Sequence, residues 1–160
     1  MENLIHFKII AEMAINNFNW KLVWELSVEA NKKLVRVFFE TIEQENYKAL
    51  KDFCHKDYVF YPQIDTPCPG VEGLIESEKQ NFDAFPGFKM PIVEMVAEGN
   101  LVAAYFIFEG KHTGIPFAGV PATGKDAKFS LMILLRISEG KIIEQRSFVD
   151  VNNIIRQIKP

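Results

Sequence analysis

Cysteine is scarce in this chain. Cys54 and Cys68 are its only two, and they form no Cys-x-x-Cys pair. A secreted disulfide framework is thereby excluded, and so is a paired-cysteine metal or redox motif. Two reduced thiols suit a cytoplasmic protein, and that location is the expectation. His6, His55 and His112 stand far apart without a pattern, so no metal site is expected. Basic runs with interleaved aromatics are also missing, and 18 basic against 21 acidic residues leave a formal charge of −3. No nucleic-acid partner is expected from such a surface. Long apolar runs are absent as well: Lys8 and Glu12 interrupt the stretch from Leu4 to Ile15. That stretch has no basic leader and no small-residue cleavage site, so it reads as neither signal peptide nor membrane span. There is no repeat, linker or low-complexity tract.

What the chain does have is phenylalanine, 14 in 160 residues. Bulky rings at that density predict a large core or an apolar cavity that needs walls. The length suits one domain able to bury its own core. Residues 1–30 read as a helical N-terminal arm. Leu4, Phe7, Ala11, Ala14, Ile15 and Phe18 recur at helical spacing, and Asn19 is placed to cap a second helix carrying Trp20, Val23, Trp24 and Leu26. From 31 to 160 the pattern is that of a single domain. Val35, Phe38, Phe39 and Ile42 make one helical face. Asn46 can cap a short helix with Leu50 and Phe53. Tyr58 to Tyr61 reads as a brief strand, and Pro62 to Gly70 as a loop. Leu74, Ile75, Glu78, Phe82 and Phe85 predict another helix, stopped at Phe85-Pro86-Gly87. Met90 to Ala97 and Leu101 to Lys111 predict two strands. Helices first and long antiparallel strands after is an α+β pattern.

The segment from Gly110 to Asp150 organises the rest. Lys128 to Ile137 predicts a strand, Glu139-Gly140 a tight turn, and Lys141 to Asp150 a returning strand. A glycine there accepts the positive φ of a two-residue hairpin. Strand alternation places Ile142, Glu144, Arg146, Phe148 and Asp150 on one face. An acid, a base and an aromatic together suggest a pocket lining. The run Gly119 to Lys125 imitates the start of a phosphate loop. However, Asp126 replaces the Ser or Thr that holds magnesium, and a strand follows rather than a helix.

Several pieces of this segment, in order, resemble the SnoaL-like polyketide cyclase family of the nuclear transport factor two-like superfamily. They are His112-Thr113-Gly114, Pro121-x-Thr123-Gly124-Lys125, Gly140-Lys141-Ile142-x-Glu144, Asp150 and Gln157. The likeness extends back to about Asn31. It implies a cone-shaped α+β barrel, a curved antiparallel sheet wrapped around the N-terminal helices, with a cavity inside. It also implies Asp150 as a pocket acid/base and His112 as its partner on the neighbouring strand. A carboxylate against Phe-rich walls would have its pKa raised toward general-base values. Asp is equally a preferred helix N-cap, so Asp150 has a structural reading too, and His112 can be satisfied by the loop that follows it. Arg146 stands where the family commonly has Trp. It can bind an anionic substrate group or pair with Glu144. Phe148 and Tyr61 complete the expected substrate-binding set, although Tyr58 and Tyr105 could also donate to an oxyanion.

Two functions follow as expectations. The first is a small cofactor-free enzyme of the cyclase or isomerase type, doing acid–base chemistry next to a carbonyl in an apolar pocket. The alternative is a non-catalytic module that binds a small molecule or serves association. The expected ligand is a small apolar or carbonyl-containing molecule. The resemblance and the apolar arm together imply a homodimer or larger even oligomer. A free Asp150 and His112 on the cavity wall would favour the enzyme; Asp150 consumed as a helix cap would favour the binder.

Overall fold

A computed structural model describes residues 20–63 and 66–160. Helix α1 spans Trp20–Glu43 and α2 spans Tyr47–Phe53. Strand β1 (Cys54–Tyr61) and a short β2 (Cys68–Pro69) precede α3 (Glu72–Ala84). Strands β3 (Ile92–Glu98), β4 (Leu101–Lys111), β5 (Asp126–Ser138) and β6 (Lys141–Phe148) follow, and α4 (Val151–Ile158) closes the chain. The expected first helix, Leu4 to Phe18, and the Asn19 cap lie outside the described residues. Helix α1 runs through the expected boundary at residue 30. Neither Gly nor Pro occurs between Trp20 and Glu43 to stop it. Asn46 stands at the start of α2 as expected, but its side chain makes no cap bond.

The six strands form one curved, open sheet in the order β2-β1-β6-β5-β4-β3. All neighbours are antiparallel except β1 and β6, which run parallel. The helix-then-strand expectation of an α+β fold is met. The barrel does not close, because β2 and β3 remain as edges. One face of the sheet carries the core. Val102, Ala104 and Phe106 of β4 and Ala127, Ile133 and Leu135 of β5 are buried there with Phe38 and Ile42 of α1, Leu74 of α3 and Ile154 of α4. Phe39 meets Phe106 edge-on, with ring centroids 4.6 Å apart.

The β5–β6 hairpin turns on Glu139 and Gly140, with φ of 52° and 72°. Both are left-handed, the signature of a tight turn that matches strand twist. Just beyond it the pairing slips. Ile142 opposes Ile137, yet Glu144 opposes Arg136, so β6 carries one extra residue. Such a bulge reverses the facing of everything after it. Ile142 is buried, but thereafter Gln145, Ser147 and Val149 turn inward while Glu144, Arg146 and Phe148 turn out. The shared face expected for residues 142 to 150 is therefore corrected: only Ile142 of that set lies on the inner side.

Candidate functional site

Between α3, α4 and the inner sheet face is a cavity of about 210 Å³. One ordered water needs roughly 10–15 Å³ by such a measure, so a small organic molecule has room. Six phenylalanines wall it: Phe60, Phe85, Phe88, Phe108, Phe117 and Phe129. The rings of Phe85, Phe88, Phe108, Phe117 and Phe129 are linked in one chain of contacts. Phe88 lies on Phe108 at 4.6 Å and Phe108 on Phe129 at 4.5 Å, while Phe85 abuts Phe108 and Phe117 edge-on at 5.3 Å. Offset and edge-on rings at these distances add stability beyond their area. Polar groups come chiefly from α3, as Ser77, Glu78 and Asn81, with Gln63 and Ser147 beside them.

Among the described residues, Glu78 is the only one lining the cavity that ionises. It is 7% exposed. It accepts a long hydrogen bond, of 3.3 Å, from Asn81 Nδ2. Burial pushes its carboxyl up to about 7, and the Asn81 bond only partly opposes this. The sequence carried a signal for it: one acid in the apolar stripe of α3, four residues from both Leu74 and Phe82. Deeper in the core, Tyr58 donates to Gln145 Oε1 at 3.1 Å. Burial holds the Tyr58 hydroxyl well above its ordinary pKa, so it stays a neutral donor.

The residues singled out by the family motif lie elsewhere. Asp150 is the N-cap of α4: Oδ1 accepts from Asn153 N at 3.0 Å. Its side chain is 64% exposed, and Oδ2 lies 3.8 Å from Arg156. His112 is fully buried. Its Nε2 lies 3.2 Å from the Ile115 carbonyl, and its ring packs on Phe85 at 5.1 Å. It is not among the lining residues, although Phe85, which is, packs against its ring. The two residues are therefore not brought together on the cavity wall. Arg146, Phe148 and Tyr61 do meet, but in a small groove on the outer sheet face. Arg146 Nε donates to Glu144 Oε1 at 2.9 Å, and its guanidinium stacks 3.9 Å above the Tyr61 ring. Gln63 and Ser147 border both this groove and the cavity.

The other motif residues fasten the fold. Gly114 N bonds Ala84 O at 3.2 Å and Ile115 N bonds Asp83 O at 2.9 Å, satisfying carbonyls at the end of α3. A Cβ on Gly114 would fall 1.6 Å from the Asp83 oxygen, so only glycine fits. Thr123 Oγ1 donates to Ile158 O at 2.8 Å, and Gln157 Oε1 accepts from Lys128 N at 2.8 Å. These bonds pin α4 to β5 and to the loop that precedes it.

A family model described as SnoaL-like polyketide cyclase matches residues 32–158. The chain belongs to the SnoaL-like polyketide cyclase family. No curated protein matches it. Solved structures of similar fold include a candidate SnoaL-like polyketide cyclase from Jannaschia sp. CCS1, at 20% identity and TM-score 0.76, covering 82% of this chain and 93% of that one. AclR, a candidate hydroxylase from Streptomyces galilaeus, is 21% identical with TM-score 0.71, over 81% of this chain and 80% of that one. IdmH, a candidate polyketide cyclase from Streptomyces antibioticus, is 23% identical with TM-score 0.69, over 79% and 96%. At these identities the likeness carries the fold, and the SnoaL-like fold hosts more than one reaction. No helix among the described residues is long and apolar enough to cross a membrane.

Proposed function

We propose that this SnoaL-like protein takes a small, apolar, carbonyl-containing molecule into the Phe-walled cavity. There it carries out cofactor-free acid–base chemistry of the cyclase or isomerase type. The observation that carries this reading is the cavity: six phenyl rings with polar groups converging from one helix, the usual make-up of a small-molecule site. An apolar wall strips water from a bound carbonyl compound and strengthens every polar contact made to it.

For Asp150 and His112, the acid/base pair that the resemblance implies, the geometry supports structural roles instead. One is occupied as a helix cap and the other lies behind Phe85. That same observation favours a second reading, in which the cavity is a container and no reaction follows. Arg146, Phe148 and Tyr61 are proposed as contacts for a ligand part that reaches past Ser147. A cytoplasmic location is proposed on the two unpaired thiols. The expected homodimer is proposed through the outer sheet face, where Val96, Met132 and Phe148 are exposed; light scattering that gives a monomer would remove it.

The test uses β-tetralone, a small aromatic ketone, as probe. Saturable binding is expected, and it should be lost in Leu131→Trp, which fills the cavity, provided the variant keeps the wild-type circular dichroism. Absence of saturable binding by the wild type up to millimolar ketone would remove the cavity reading. Binding without any chemistry on the ketone would favour the container.

A further inference from the structure

Glu78 is an expensive residue to keep where it stands. A carboxyl 7% exposed, with one 3.3 Å bond from Asn81, gives up hydration for little return. Buried carboxylates ordinarily sit beside a cation or accept several strong hydrogen bonds. Among the described residues, no cation offsets the burial of Glu78. The titratable groups that sense its charge are Tyr47 of α2 and Tyr58 of β1, whose hydroxyls are pushed up chiefly by burial, with Glu78 adding to it. The side chains facing it across the cavity are Phe108 of β4, Phe129 and Leu131 of β5, Ser147 of β6 and Ile154 of α4, and none of them titrates. A structural role would be served at least as well by an apolar residue continuing the Leu74–Phe82 stripe. What the carboxyl offers instead is a proton-exchanging group in contact with whatever fills the cavity.

We propose that Glu78 is the proton-transfer group of this cavity, removing a proton from the carbon next to the carbonyl of an apolar ligand held against the phenyl wall. This rests on reading the cavity as a carbonyl-handling site. In the step, the C–H bond breaks and the proton moves to a Glu78 carboxylate oxygen. The C–H electron pair becomes the new C=C bond, and the carbonyl π pair moves onto oxygen. Two returns close the balance. The enolate carbon can bond to a second carbonyl carbon of the same molecule, and the proton then goes from Glu78 to the new alkoxide. Alternatively the proton goes back to a different carbon, and a double bond has moved. Neither return needs an oxidant or a reductant. Ser77 and Gln63, also on the wall, can donate to the oxygen that gains charge. A carboxyl that titrates near 7 is both substantially ionised at neutral pH and a far stronger base than an ordinary glutamate.

The experiment follows exchange of the α-protons of β-tetralone in deuterium oxide by proton NMR, with binding of the ketone measured alongside. The wild type should accelerate exchange, and the rate should rise with pH through a midpoint near 7. Glu78→Gln should lose about 10²- to 10⁴-fold of that acceleration while still binding the ketone. Asp150→Asn should exchange like the wild type. A Glu78→Gln variant that binds and exchanges at the wild-type rate overturns the assignment. So does a wild type that binds the ketone without accelerating exchange, an outcome that leaves the cavity reading standing. A wild type that does not bind the ketone sinks both. Should Glu78→Gln fail to fold, carbon NMR of carboxyl-labelled glutamate in the wild type decides. A Glu78 midpoint that coincides with the rate profile supports the proposal, and one in the ordinary carboxylate range overturns it.

Discussion

The cavity wall at Glu78 and the strand-to-helix junction at Asp150 each hold one carboxyl group, and their surroundings are opposite. Glu78 is enclosed by phenyl rings, has one long hydrogen bond and titrates near 7. Asp150 is 64% exposed, accepts from a backbone amide at 3.0 Å and faces Arg156 at 3.8 Å. The family motif points to the second, and the physical chemistry favours the first. Asp150 is engaged by a backbone amide on the exposed side of the junction and is not among the residues that line the cavity. An apolar wall destabilises the ionised form and so makes a stronger base. The two carboxyls differ in environment, and sequence position alone does not report environment.

The contrast would break most severely in catalysis. Turnover of a true substrate should fall by about 10² to 10⁴ in Glu78→Gln and stay at the wild-type level in Asp150→Asn. The reverse ranking in steady-state kinetics would return Asp150 to the centre of the mechanism.

Stability against pH sharpens the same contrast. Unfolded, the Glu78 carboxyl gives up its proton near 4.5; folded, near 7. Between these values the native state holds more protons than the unfolded one, so raising the pH removes stability. The Glu78 contribution is complete below about 4.5 and lost above about 7, with an upper bound of about 3 kcal/mol. Urea titrations across that window should show the decline in wild type and Asp150→Asn. Glu78→Gln should lack it, and equal slopes in all three would deny the shift.

Gly114→Ala tests whether the motif serves the fold. The added Cβ meets the Asp83 oxygen at 1.6 Å, so the loop or the end of α3 must move. A cost of about 1 to 3 kcal/mol follows, as for other overpacked sites. Unchanged denaturant midpoints would mean that the loop yields freely.

The smallest effect belongs to the cap. Asp150→Ala should cost about 1 kcal/mol, and Asp150→Asn almost nothing, because Asn caps as well as Asp. Thermal melts resolve the two, and equal losses would show that the charge beside Arg156 matters more than the cap.

Much of this molecule was legible in its residues. The apolar spacing of Val35, Phe38, Phe39 and Ile42 fixed a helix face, and all four are buried. Glu139-Gly140 fixed the hairpin through the positive φ it demands. The ordered motif from His112 to Gln157 gave the family, because Gly114, Thr123 and Gln157 make bonds on which the fold depends. Those are local or near-local consequences of chain chemistry, and a linear string can carry them.

The facing of β6 after Ile142 could not be read that way. Alternation with period two predicts one shared face, and a single extra residue opposite Arg136 and Ile137 reverses it. That bulge forms only when two strands pair. Glu78 stood in the apolar stripe of α3 from the start, marked as an exception by its charge. Its environment was set when β4, β5 and α4 closed phenyl rings and aliphatic side chains over it. The pKa of a carboxyl depends on the water and charges within a few ångströms, and those neighbours come from distant parts of the chain. The residues and their periodicities specified the elements and the family. Which carboxyl is dry, and which is wet, was decided by tertiary packing.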